Sequence, residues 1–97
     1  MNGQQVQVKI ELDKEKAGGV YSNLALIHHS ETEFVFDFLY LQPQQPIAKV
    51  QARIITNPKH AKRILNALRE NIEKYEKKFK TIEASKKIED KKIGFSA

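Results

Sequence analysis

The chain has 97 residues, 40 % hydrophobic and 30 % charged, with a formal net charge of +5 and no cysteine. That length is one domain's worth and buries about 60–65 % of its unfolded surface, enough to fold alone with little core to spare. The lack of cysteine excludes disulfides, thiolate catalysis and cysteine-ligated zinc, and it suits a reducing compartment.

No apolar run approaches the roughly 18 residues of a membrane span. The opening Met1-Asn2-Gly3-Gln4-Gln5 lacks the basic-then-apolar profile of a signal peptide, so a cytoplasmic protein is expected. The charge is uneven: residues 1–57 hold 5 Lys/Arg and 6 Asp/Glu, whereas residues 58–97 hold 12 and 6. The C-terminal part is therefore the basic one, through an anionic partner or simply a solvated helix and a Lys-rich tail.

From Val6, apolar Val6, Val8, Ile10 and Leu12 alternate with Gln7, Lys9 and Glu11, which predicts a first strand with one wet face. Asp13 to Lys16 is a charged break, followed by Ala17-Gly18-Gly19. Val20 to His29 predicts a second strand, and the short polar Ser30-Glu31-Thr32 predicts an antiparallel hairpin to a third. The third strand, Phe34 to Leu41, puts Phe34, Phe36, Phe38 and Tyr40 on one face and Val35, Asp37, Leu39 and Leu41 on the other. It ends at Gln42-Pro43-Gln44-Gln45-Pro46, where two prolines remove backbone donors.

A fourth alternating strand runs from Ile47 to Thr56. Folded back about Gln44-Gln45, it is expected to set Asp37 across from Arg53, Val35 across from Ile55 and Phe36 beside Ile54. Asn57-Pro58 is a helix start, with Asn as N-cap and Pro at the first helical position. The helix is predicted to about Phe79, a rod of roughly 33 Å. Ala61, Leu65, Leu68, Ile72, Tyr75 and Phe79 recur at 4-3-4-3-4 spacing with Ile82 beyond, a narrow heptad-like seam. The fold expected is α+β, a four-stranded antiparallel sheet followed by one long C-terminal helix. It forms a single domain over residues 1–80 with a flexible Lys-rich tail over 81–97.

One helix covers one face of a sheet, and the face assigned to it holds Leu24, Leu26, Phe34, Phe36, Phe38, Val50 and Ile54. The opposite face would leave an apolar patch larger than monomers usually expose. A homo-oligomer is therefore expected, with sheet contacts at Tyr21, Ile27, Val35, Leu39, Leu41 and Ile55 around an Asp37–Arg53 pair. The helix seam at Ile72, Tyr75 and Phe79 would add to them. The rival is a monomer whose tail folds over the patch, docking through Phe95.

Catalytic and metal chemistry find little support. His28 and His29 are adjacent and point to opposite strand faces, and His60 has no partner at metal-ligand spacing. Gly18-Gly19 lacks the spacing and the following Lys-Ser/Thr of a phosphate loop, and there is no nucleophile elbow. No catalytic residue, metal site or cofactor is expected, and Asp37 is read as structural. Lys59, Lys62, Arg63 and Arg69 could contact phosphates, which makes nucleic-acid binding through the basic helix the alternative function. Against it, Glu70–Lys74, Glu73–Lys77 and Glu76–Lys80 have the i,i+4 spacing of a self-supporting, solvated helix.

The series Gly19-Val20-Tyr21-Ser22-Asn23, Glu33-Phe34-Val35-Phe36-Asp37-Phe38, Val50 to Ile55, Pro58 to Arg63, and Asn71-Ile72 to Tyr75-Glu76 resembles a small bacterial family, domain of unknown function family 3467. The resemblance covers about Ile10 to Phe79. Lys80 stands where the family pattern has a glycine, so the helix lacks that stop. The resemblance implies a stand-alone bacterial or archaeal protein and no activity, and it carries over no functional residue. By topology alone, four antiparallel strands and a long helix are similar to the export chaperone fold typified by SecB. The function expected is a non-enzymatic oligomeric binding module, chaperone-like or an adaptor, whose partners are itself and polypeptides and not a membrane.

Overall fold

A computed structural model describes residues 6–84. The predicted tail beyond residue 84, including Phe95, lies outside the described residues. The chain divides into two compact units, residues 1–58 and 59–97. The elements in order are α1 (Lys14–Ala17), β1 (Leu24–His29), β2 (Phe34–Gln42), β3 (Ile47–Thr56) and α2 (Pro58–Lys78).

The sheet has three strands in the order β1-β2-β3, all antiparallel, so the architecture is α+β with one strand fewer than expected. The missing one is the first. Residues 6–12 join no ladder, and Val6, Val8, Ile10 and Leu12 are all exposed, Ile10 at 90 %. Lys9 and Glu11 sit on one side of this segment, 3.8 Å apart, as alternation predicts. Alternation fixes which side chains share a face; it does not supply the partner backbone that makes a strand. In the charged break, the carbonyl of Asp13 accepts from the Lys16 and Ala17 amides, each at 3.0 Å, forming the single turn of α1. Gly19 then takes φ +71°, the left-handed region where only glycine is unstrained.

β1 starts at Leu24, four residues later than predicted, and its phase differs from the expected one. The hairpin loop is Ser30–Glu33, one residue longer than the polar Ser30-Glu31-Thr32. The Ser30 amide donates to the Glu33 carbonyl, while its Oγ accepts the Thr32 and Glu33 amides. That closure pairs His29 with Phe34, Ile27 with Phe36 and Leu26 with Asp37. One extra loop residue turns every β1 side chain to the other face. Leu24 and Leu26 therefore belong to the Asp37 face, and Ala25 and Ile27 to the phenylalanine face, the reverse of the assignment above.

The β2–β3 pairing is as expected over its first half, with Asp37 opposite Arg53, Val35 opposite Ile55 and Phe36 opposite Ile54. The turn at Pro43–Pro46 dictates a different register, since Gln42 faces Ile47 and Leu39 faces Val50. The two registers meet in a β-bulge between Phe38 and Leu39, which leaves Gln51 unpaired. The bulge also moves Val50 to the Asp37 face, away from the phenylalanine face where alternation placed it.

α2 begins at Pro58, the last residue of the first unit, as the Asn57-Pro58 signal requires, and runs 21 residues to Lys78. The Phe79 amide still donates to the Tyr75 carbonyl at 2.8 Å, so the last turn includes the seam phenylalanine. Past it, the Ile82 amide donates to Oε2 of Glu76 at 2.9 Å, which draws the chain back along the helix end. No described helix is long and apolar enough to cross a membrane.

Candidate functional site

The centre of the sheet is ionic. Asp37 is fully covered at 0 % exposure, between Leu26 on β1 and Arg53 on β3. Arg53 clamps it with a two-point fork, Nε to Oδ1 at 2.6 Å and Nη2 to Oδ2 at 2.8 Å. Nε2 of His28 stands 3.5 Å from Oδ2, one β1 position along the same face. The cover is thin, because the His28 and Arg53 side chains are each about half exposed. The hydrogen bond from Arg53 holds the Asp37 carboxyl below the usual carboxylate range; burial opposes this, and Arg53 charge and His28 assist. The same bond raises the Arg53 guanidinium. A carboxylate with both oxygens engaged and a depressed pKa makes a poor general base. What it does well is tie β2 to β3 at one register.

Around this pair the Asp37 face is better covered than expected. Leu39 is 2 % exposed, and Val35, Leu41, Leu24 and Leu26 are half-buried, so the patch predicted here shrinks to Ile55 and Val50. The exposed apolar row lies on the other face instead. Ile27, Phe38, Tyr40 and Ile54 are exposed there around Phe36, which is the buried one. The Phe36 and Phe38 rings stack at 6.5 Å along β2, and the His29 and Phe34 rings stack at 5.4 Å across the ladder.

The interface residues expected from the sequence thus fall into three places. Val35, Asp37, Leu39, Leu41, Arg53 and Ile55 share one face, as anticipated. Ile27 sits on the opposite face, and Tyr21, ahead of β1, meets the Tyr40 ring edge-on at 6.1 Å. Ile72, Tyr75 and Phe79 lie on α2, in the second unit, and all are exposed. The basic residues Lys59, Lys62, Arg63 and Arg69 are on α2 as well, all exposed.

Two contributors were not anticipated. His28 joins Asp37 only because the hairpin loop has four residues. Asn23 falls within the predicted strand from Val20 to His29 but lies one residue ahead of β1. Its side chain accepts the Leu41 amide at 2.8 Å and donates to the Leu41 carbonyl at 3.0 Å, completing a ladder rung with a side-chain amide. An Asn one residue before a strand is the signal that could have pointed to it. A shallow concavity of about 350 Å³ at the β2–β3 turn is lined by Tyr40, Gln42, Pro43, Gln44 and Gln45, with no carboxylate, histidine or lysine. Among the described residues no three His, Cys, Asp or Glu gather as metal ligands.

The model of a family described as a protein of unknown function, DUF3467, matches residues 1–84. No curated protein and no solved structure matches the chain.

Proposed function

The chain belongs to the DUF3467 family, whose description assigns no activity, and from that premise we propose that it is a non-enzymatic, self-associating module that binds polypeptide. The observation that carries the reading is the apolar surface left in both units. The sheet exposes Ile27, Phe38, Tyr40 and Ile54 on one face around Phe36, and α2 exposes Leu65, Leu68, Ile72, Tyr75 and Phe79 along one seam. Contiguous apolar surface on a small protein is normally covered by a partner. Two such surfaces allow one to join copies and the other to receive an extended apolar segment. The fixed Asp37–Arg53 pair supports this division, because it holds β2 and β3 in one register without offering reactive chemistry.

Sedimentation at micromolar concentration tests the first half: a species at twice the 11.2 kDa chain mass or more is expected. A mass that stays at one chain on concentration refutes self-association. Suppressed aggregation of a denatured test protein is expected for the second half, and Ile54→Glu should abolish it. No suppression at several-fold molar excess refutes polypeptide binding.

A further inference from the structure

We infer that the self-association proposed above, on which this inference rests, is an antiparallel two-fold pairing of α2 with α2 of a second copy, registered by Arg69 and Glu76. From Leu65 the seam recurs at 3-4-3-4 spacing, so Leu65, Ile72 and Phe79 occupy one core position of a heptad and Leu68 and Tyr75 the other. In an antiparallel pair, residues of the first kind meet residues of the second. The register centred between Glu73 and Lys74 layers Ile72 against Tyr75 of the partner and Leu68 against Phe79. Each large ring then meets an aliphatic side chain, the large-against-small filling that facing helices need. A parallel pair would stack Tyr75 on Tyr75 and Phe79 on Phe79.

Charge selects the same register. On one flank of the seam lie Lys62, Arg69 and Glu76. Antiparallel pairing centred as above sets Arg69 beside Glu76 of the partner, and by symmetry Glu76 beside Arg69. Both of these symmetric pairs are of opposite sign. The parallel arrangement sets Ile64 beside Arg69 and Asn71 beside Glu76, with no charge pair inside the helix. Glu76 is half-buried and its Oε2 already accepts the Ile82 amide, which holds it at the seam's edge. The pairing is isologous and closes at two chains, so it gives a dimer and not a filament.

Because the chain has no cysteine, single thiols report the geometry without background. Arg69→Cys and Glu76→Cys proteins, mixed and treated with a short thiol-to-thiol crosslinker, should give a covalent dimer; neither alone should. Arg69→Glu should weaken the dimer about tenfold by setting like charges together at two symmetric places, and Arg69→Glu/Glu76→Arg should restore it to within about twofold. Crosslinking of an Asn71→Cys and Glu76→Cys mixture instead would show a parallel pair and overturn the inference. So would a double swap as weak as Arg69→Glu alone. A wild-type dimer with no Arg69–Glu76 crosslink would sink this geometry while leaving self-association standing. A wild-type monomer would sink both.

Discussion

Asp37→Asn tests the ionic centre of the sheet most directly. Asparagine preserves the shape but keeps only one oxygen, so only one limb of the Arg53 fork can form. The other limb sets an amide nitrogen against Nη2, donor against donor, and the surviving bond loses its acceptor's charge. Hydrogen bonds to charged groups contribute about 1.5–3 kcal/mol each, and the half-exposed Arg53 regains water, which places the net loss at about 1–2 kcal/mol. In a unit of this size that lowers Tm by about 5–15 °C. The loss should also depend on pH in a set direction. The folded Asp37 pKa lies below the ordinary carboxylate value of 3.8, so the pair's stabilisation is complete above that value and is lost as pH falls through the folded pKa. Arg53 is shifted upward and stays charged throughout. Urea titrations of wild type and Asp37→Asn should therefore differ by a constant amount from about pH 5 to 8, and the gap should close below pH 3.8. An Asp37→Asn protein melting within about 2 °C of wild type at pH 7, or a gap unchanged at pH 3, would refute the reasoning.

Asn23→Ala removes both hydrogen bonds to the Leu41 backbone at an exposed rung; about 1 kcal/mol of stability and faster amide exchange at Leu41 are expected, read by urea midpoint and hydrogen exchange. Gly19→Ala should cost about 1 kcal/mol because its φ of +71° disfavours any side chain, although no atom lies within 4 Å of an added Cβ. Gly18→Ala, in the right-handed helical region with the same open surroundings, should be neutral or slightly stabilising. Equal melting of the two alanine variants would contradict this backbone explanation.

Much of the sheet was legible because its strongest constraints are local. Period-two alternation through β2 and β3, with one acid and one base at matching positions, suffices to pair Asp37 with Arg53. Asn57-Pro58 sets the start of α2 by capping chemistry alone. What failed was whatever depends on counting across a gap. The Ser30 side chain closes a four-residue loop where three polar residues suggested a shorter one, and that single residue exchanged the faces of Leu24, Leu26, Ala25 and Ile27. It also hid His28 from the Asp37 cluster. The segment from Val6 to Leu12 failed for another reason: its alternation is as regular as that of β3, but a strand needs a neighbour's backbone, which no residue pattern within the segment can announce.

The bulge at Gln51 follows from two conflicting demands. Continued unbroken from its Gln42–Ile47 closure, the β2–β3 turn would set Asp37 opposite Ala52 and strand a covered carboxylate beside a methyl group. The Asp37–Arg53 pair requires the register to be one residue longer, and Gln51, exposed and unpaired, is the residue that absorbs the difference. Deleting Gln51 therefore removes the conflict without changing a partner: Val50 would still face Leu39, Ala52 would still face Phe38, and every β3 side chain would keep its present face. Such a shortened chain should fold and melt at or above the wild-type temperature, by up to about 1 kcal/mol of added stability, since the ladder gains regularity and loses no contact. Deleting Ala52 instead would also close the bulge, but it would seat Gln51 opposite Phe38 on the phenylalanine face and should be clearly destabilising. If the Gln51 deletion unfolds the protein while the Ala52 deletion is tolerated, the bulge supplies a twist the sheet needs, and the competition of registers is the wrong account of it.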